Sequence, residues 1–253
     1  MATIHPSAVI DPAARLAADV TVGPFVVIEA DVTVGTGTQL LAGTILLNGT
    51  RVGAHARLGP YTTVGNEPMD RSFDGERSFA VLEDGVRMFE FASVHRASGE
   101  NAETRVGANS MVMSYAHVSH NARVGRDCVL TTHAQLAGHS QVGDLAVLGA
   151  DTGLHQFGRV GTGAMLGASA KALKDVLPYT LASGQPARHY RLNRVGLQRR
   201  GVDGERYRRL EQAFRAFRKH DLDRVEALAA ESDEVRTMLD FYRSSTRGIT
   251  RFV

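Results

Sequence analysis

One aliphatic residue in every six positions governs this chain. From Ile4 to Leu166 the frame passes through 28 positions, and only Asp70, Glu76 and Glu100 interrupt it. A period held that long marks a repeat fold in which each hexad supplies one short strand and one turn. Its aliphatic residue points inward, and no coil can bury its own face without neighbours. The period therefore predicts an all-β solenoid of short parallel strands. Glycine often follows the aliphatic, as in Val34-Gly35, Val52-Gly53 and Val124-Gly125, where a tight corner is expected to favour a residue without Cβ.

The frame fails in two polar stretches, 66–80 and 97–104, which are expected to loop out of the solenoid, where rigid scaffolds often carry their substrate contacts. It fades after Leu166, and residues 173–190 read as an irregular exit with two prolines. Beyond them the spacing of Leu210, Phe214 and Phe217, then Val225, Leu228 and Met238 to Tyr242, predicts two or three helices. The expected division is a β-solenoid over 1–187 and a helical domain over 188–253. The helical part carries 16 Lys/Arg against 10 Asp/Glu while the solenoid is net acidic, so the basic tail, with Arg206, Arg208, Arg209, Arg215, Arg218 and Lys219 on its first long helix, is a candidate surface for an anionic partner.

Composition excludes several classes of function. Cys128 is the only cysteine, which rules out an intramolecular disulfide and a thiolate-rich metal site; a buried thiol is the expectation. No run approaches the roughly 20 apolar residues of a membrane span, and the start MATIHPSAVIDP lacks the regions of a signal peptide, so a cytoplasmic location is expected. No phosphate loop, G-x-G-x-x-G after a strand, or G-x-S-x-G element is present.

The chemistry-bearing feature is a histidine cluster. His117, His120, His133, His139 and His155 hold half of the chain's ten histidines. If three hexads complete a coil, residues 18 apart stack at about 4.8 Å, and all five histidines fall on one edge of the prism; a coil of two hexads would gather them too. His120 and His139, two and three residues past an inward aliphatic, belong at corners open to solvent. Histidine suits general-base work near neutral pH. A zinc centre is the competing use, but no carboxylate recurs beside the histidines at a telling spacing, and no metal is expected.

Beyond what the residues give alone, the chain resembles the hexapeptide-repeat acyltransferases, and within them the UDP-N-acetylglucosamine O-acyltransferases of lipid A biosynthesis. The resemblance rests on IHPSAVIDPAA, VGPFVVI, GNEPMD, SVHRAS, AHVSHNARVG, LAGHSQVGD, LHQFGRVG, GLQRRG and SSTRGI, in that order along essentially the full length. It implies a left-handed parallel β-helix with a C-terminal α-helical domain, a homotrimer with active sites between subunits, and acyl carrier protein as the partner docked by the basic tail. It implies no cofactor beyond the acyl-phosphopantetheine on that carrier. His120 then matches the general base and Gly138 the backbone N–H that stabilises the oxyanion. Asp70, His117, His139, His155, Gln156, Asn193, Arg199 and Arg200 match substrate-binding positions, and Ala168 the acyl-chain ruler, its small side chain implying a longer chain.

Three departures stand against the family pattern: Ser72 replaces a lysine, Val195 a glutamate, and Asn121 the aspartate that commonly follows the catalytic histidine. They leave open a paralogous acyltransferase on another nucleotide or amino sugar, for example with a 3-amino acceptor. A metal-dependent hydratase or lyase on the same scaffold, and a solenoid that only binds a partner, are the readings from other classes.

Overall fold

The computed structural model describes residues 2–253, and its coils are made of three hexads. In one coil, Met111–Val112 lies in a first sheet, His117–Val118 in a second and Arg123–Val124 in a third. Each strand pairs in parallel with the strand 18 residues on: Met111 with Val129, His117 with Gln135, Arg123 with Gln141. The three sheets form a triangular prism. We call the edge between first and second sheets the first edge, that between second and third the second edge, and that between third and first the third edge.

The inward aliphatics form an unbroken buried column; Leu58, Val64, Val94, Leu130 and Leu136 are wholly inaccessible. A second buried column stands two residues ahead of them, where Ala116, Ala122, Cys128, Ala134 and Ala146 fill the corners with small side chains. Cys128 is one of these fillers, and burial pushes its thiol up to about 11, which leaves it protonated and unreactive at neutral pH.

The structure changes the reason for the glycines. Gly35, Gly53, Gly107 and Gly125, which follow the aliphatics, do not hold the left-handed corner conformation, which falls two residues later, at His55, Asn109 and Asp127 for example. They are needed because coils stack through them: a Cβ on Gly35 would sit 2.7 Å from the carbonyl carbon of Gly53, and one on Gly107 2.5 Å from that of Gly125.

Both expected loops leave the prism at the second edge, where the register steps by 30 residues between Val64 and Val94 and by 24 between Val94 and Val118. The exit is more regular than its prolines suggest. Thr180–Gly184 continues the first sheet, and Ala187–Leu192 folds back on it as an antiparallel hairpin. The 187/188 boundary thus falls inside a hairpin whose residues contribute to both cores.

Four helices follow: α1 (Arg194–Gln198), α2 (Gly204–Lys219), α3 (Leu222–Ala229) and α4 (Asp233–Arg243). They bury Leu210, Phe214, Phe217, Val225 and Met238 against one another. Helix α4 lies on the last coil of the third sheet, with the Arg159 guanidinium 4.3 Å above the Phe241 ring and bonded to the Phe241 carbonyl.

Candidate active site

The second edge gathers most of the candidate residues, with one correction to the sequence reading: the five histidines do not share it. His120 and His139 stand on it one above the other, rings 5.3 Å apart and perpendicular, and His155 follows one coil later. His117 projects from the second sheet beside them. His133 sits on the first edge, packed against Tyr115, because each hexad turns the chain by one face and His133 falls one corner away.

Asn121 determines the proton on His120. Its amide is held by backbone alone: Oδ1 accepts the Ser98 N–H at 3.0 Å and Nδ2 donates to the Ser98 carbonyl at 2.9 Å. Backbone groups have fixed donor and acceptor roles, so the amide can face only one way. Its oxygen therefore meets His120 Nδ1, at 3.0 Å, and Nδ1 must carry the hydrogen. The lone pair is left on Nε2. That nitrogen points at Gly138, where a Cβ would come within 2.5 Å of it; only glycine admits the ring. The Gly138 N–H donates to no other group among the described residues. A bare imidazole nitrogen and a free backbone N–H thus lie side by side, the pair that acyl transfer requires for its base and its oxyanion.

Asp70 reaches this site from the first loop, its Oδ2 3.8 Å from His120 Nδ1. The Ser72 N–H and the Ser98 hydroxyl hold its carboxyl at about 2, well below the usual carboxylate range, so it is ionised at neutral pH. Burial, then repulsion from neighbouring imidazoles, pushes His117 down to about 4 and lowers His139 as well. His117 Nδ1 bonds the Ser93 hydroxyl, while its buried Nε2 has no protein partner. Two contributors escaped the sequence reading, His95 and Ser98. His95 packs edge-on to His117 at 4.8 Å, and both residues stand within SVHRAS, whose spacing across the second loop gave no hint of which histidine they would meet.

One ligand atom from each of Asp70, His120 and His139 lies within 4.8 Å of the others, a donor set that also suits a divalent cation. Two of the three residues are committed to hydrogen bonds: Asp70 takes the Ser98 hydroxyl at 2.7 Å and His120 faces Asn121. The proton-transfer arrangement satisfies these groups as they stand.

Four of the remaining candidates, Asn193, Arg199, Arg200 and Ala168, lie elsewhere on the prism. Asn193 caps α1 through Gly196 N–H and bonds the Gly163 carbonyl, and Arg200 bonds the Leu145 carbonyl; both anchor the helical domain on the third edge. Arg199 is exposed beside them, and Ala168 is exposed on the first edge. His155 and Gln156 are exposed on the second edge. In one chain His139 lines a groove of about 510 Å³ with Asn121, Arg123 and Phe157, whereas a cleft of about 870 Å³ lies away from the histidines, between α2, α4 and the C-terminal segment. The candidate residues are therefore split between edges that no single copy brings together.

Comparison with known proteins gives a consistent result. Residues 175–250 match the family described as Udp N-acetylglucosamine O-acyltransferase, Domain 2. The chain is 43% identical to the acyl-(acyl-carrier-protein)–UDP-N-acetylglucosamine O-acyltransferase of Chlamydia pneumoniae, over all of this chain and 93% of that protein. To the enzyme of that name from Halorhodospira halophila it is 37% identical, over 99% and 100% of the two. Among solved structures, the UDP-N-acetylglucosamine acyltransferase of Campylobacter jejuni superposes with a TM-score of 0.93 at 33% identity, covering 99% of this chain and 100% of that one. That of Bacteroides fragilis also gives 0.93, at 31% identity and 98% and 100% coverage. Likeness at this level makes the solenoid a left-handed parallel β-helix with a small helical C-terminal part.

Proposed function

This chain belongs to the UDP-N-acetylglucosamine O-acyltransferase family, and from that premise we infer that it moves a (3-hydroxy)acyl chain from acyl carrier protein to the 3-hydroxyl of UDP-N-acetylglucosamine, the first step of lipid A biosynthesis. The observation that carries the mechanism is the amide of Asn121, which leaves His120 Nε2 bare beside the Gly138 N–H.

His120 Nε2 takes the proton from the sugar hydroxyl as its oxygen attacks the thioester carbonyl. The tetrahedral oxyanion that forms accepts the Gly138 N–H, a contact worth several kcal/mol in comparable sites. Collapse of the intermediate breaks the carbon–sulfur bond, and protonated His120 returns its proton to the departing thiolate of the phosphopantetheine. Asp70, fixed as a carboxylate, receives a sugar hydroxyl and offsets the positive charge that develops on His120. His117, His139, His155 and Gln156 line the sugar side. The acyl group arrives activated, so this chemistry calls for no further cofactor and no metal.

Asn193, Arg199 and Arg200 stand on the third edge, so in this reading a neighbouring copy brings them to the His120 site in a homotrimer, with Ala168 limiting the acyl chain. Among the described residues no helix is long and apolar enough to cross a membrane, and a nucleotide-sugar substrate fits a cytoplasmic location. Within the basic tail, Arg206, Arg208, Arg209 and Arg215 are already ion-paired to Glu234, Glu205, Glu231 and Glu211. Of the cations on α2, exposed Arg218 and Lys219 make no ion pair among the described residues and are the two left to meet an acidic carrier protein.

An assay of purified protein with a panel of acyl-carrier thioesters against UDP-N-acetylglucosamine and its 3-amino analogue tests the reading. Transfer to the 3-hydroxyl is expected. Transfer to the amine alone would replace it with the acceptor that the departures at Ser72 and Val195 favour. Mixing refolded His120→Ala chains with Arg199→Ala/Arg200→Met chains should restore part of the activity that each lacks; no recovery in mixed oligomers would overturn the shared site.

A further inference from the structure

His120 Nδ1 has two acceptors near it, and they are not equal. Asn121 Oδ1 lies at 3.0 Å and Asp70 Oδ2 at 3.8 Å. A carboxylate accepts a hydrogen bond more strongly than an amide does, yet here the amide holds the imidazole. The Ser98 hydroxyl is the reason: it donates to that same Oδ2 at 2.7 Å, while the Ser72 N–H holds Oδ1 at 3.0 Å. Both oxygens of Asp70 are thus turned to other donors. The backbone of Ser98 meanwhile grips both ends of the Asn121 amide, at 3.0 and 2.9 Å. One residue fixes the carboxylate with its side chain and the amide with its main chain.

Ser98 is itself placed from the first loop. The N–H of Gly99, next in the chain, donates to the Glu76 carboxylate, whose other oxygen takes the Asp74 N–H at 2.8 Å. Glu76 is one of the three residues that break the aliphatic frame, and Asp70 is another. On either side of Ser98, the Arg96 and Asn101 N–H groups donate to the Asn66 and Arg77 carbonyls at 3.0 and 2.7 Å, and the Arg96 guanidinium lies 4.8 Å above the Phe73 ring. The two loops are stitched into one piece, which meets His120 through Ser98.

We propose that Ser98 is a positioning residue for the transfer reaction and that Glu76 keeps it in place: together they reserve Asp70 for the acceptor sugar and Asn121 for His120. This rests on the acyl-transfer reading above and deepens it. Were Oδ2 free, it would close the 3.8 Å gap and take the Nδ1 hydrogen. The ring would then keep a proton on Nε2 to higher pH, and the sugar would lose its carboxylate. The titratable groups that face His120 are Asp70 from the first loop, His139 from the next coil, and His95 and His117 from the second sheet. The three imidazoles disfavour a proton on the ring and only Asp70 favours one, so an upward move of the acid limb reports on Asp70.

Steady-state transfer to UDP-N-acetylglucosamine, followed across the pH profile, tests this in Ser98→Ala, Ser98→Thr, Glu76→Ala, Asp70→Asn and the pair Asp70→Asn/Ser98→Ala. Ser98→Ala should lower kcat/KM about tenfold, the scale of one hydrogen bond to a charged group, with KM raised and the acid limb moved to higher pH. Ser98→Thr keeps the hydroxyl and should regain most of that loss. Glu76→Ala should move the limb in the same direction by a smaller amount. Adding Ser98→Ala to Asp70→Asn should move it no further, because the carboxylate that reaches for Nδ1 is gone. An acid limb that stays put in Ser98→Ala, one that moves equally without the Asp70 carboxylate, or no rescue by threonine would overturn the positioning role while leaving wild-type transfer intact. A wild-type protein that transfers nothing to this acceptor would overturn the acyl-transfer reading, and the role of Ser98 with it.

Discussion

His120 and His189 are set up alike on one side and oppositely on the other. Each donates Nδ1–H to an amide oxygen, that of the Asn121 side chain for His120 and the Thr250 backbone carbonyl for His189, both near 3 Å. Nε2 of His189 then accepts the Leu177 N–H at 3.0 Å, deep in the joint between solenoid and helical domain. Nε2 of His120 meets only the space that Gly138 leaves. A histidine with both nitrogens committed is a structural pin, whereas one whose second nitrogen is bare and solvent-facing is a base. Titratability is decided by what the last nitrogen touches rather than by residue type or burial alone.

The largest effect should come from removing the bare nitrogen. His120→Ala is expected to lower turnover by about 10³-fold, within the range of general-base contributions, with circular dichroism and oligomeric state unchanged; near-normal turnover would break the comparison at its active end. Gly138→Ala should follow, by about 10²-fold, because the added methyl displaces the imidazole while the backbone N–H of that position remains. The reading fails there if that variant's crystal structure shows the ring unmoved and the rate is nonetheless normal.

His189→Leu should do the reverse, lowering stability while leaving kcat/KM at permissive temperature unchanged. Two backbone groups, Leu177 N–H and Thr250 C=O, lose their partner, a loss on the order of 2–4 kcal/mol measurable by denaturant titration. Burial holds the His189 pKa down to about 4, as it does for His117. Between pH 6.5 and 4 the unfolded chain therefore binds protons that the folded chain refuses. The stabilisation is complete above about pH 6.5 and declines as pH falls toward 4. In His189→Leu part of that acid sensitivity should vanish; an unchanged slope would mean that His189 is protonated in the fold.

The smallest and sharpest test is Asn121→Asp. A carboxylate in place of the amide stabilises positive charge on the ring, so the acid limb of the rate profile should move to higher pH. Asn121→Leu should lower kcat without that shift, because it frees the tautomer. An acid limb that stays put in Asn121→Asp would show that the limb belongs to another group.

These residues also mark where the sequence becomes legible. Asn121 and Gly138 were visible as neighbours and motif members, but the reason each matters, a backbone-locked amide and a ring with no room for Cβ, depends on Ser98 and His120 arriving from other coils. His133 falls on a different edge from the one its spacing predicts for a simple reason: stacking by multiples of 18 keeps residues in order along the coil, and a spread of six positions is already one full face. His95 carries no such signal in the sequence, because it lies before a loop that changes the register by a whole hexad.

The hexad alone determined that this chain is a parallel solenoid, because an aliphatic residue at every sixth position can be buried only by stacking. It also determined where the prism must open, because Asp70, Glu76 and Glu100 cannot enter that column. Only the tertiary structure decided which edge each side chain occupies, and with it the separation of His120 from Asn193, Arg199 and Arg200. Edge placement accumulates every inserted residue around a triangle, so it depends on how each loop rejoins the stack, which no local pattern records.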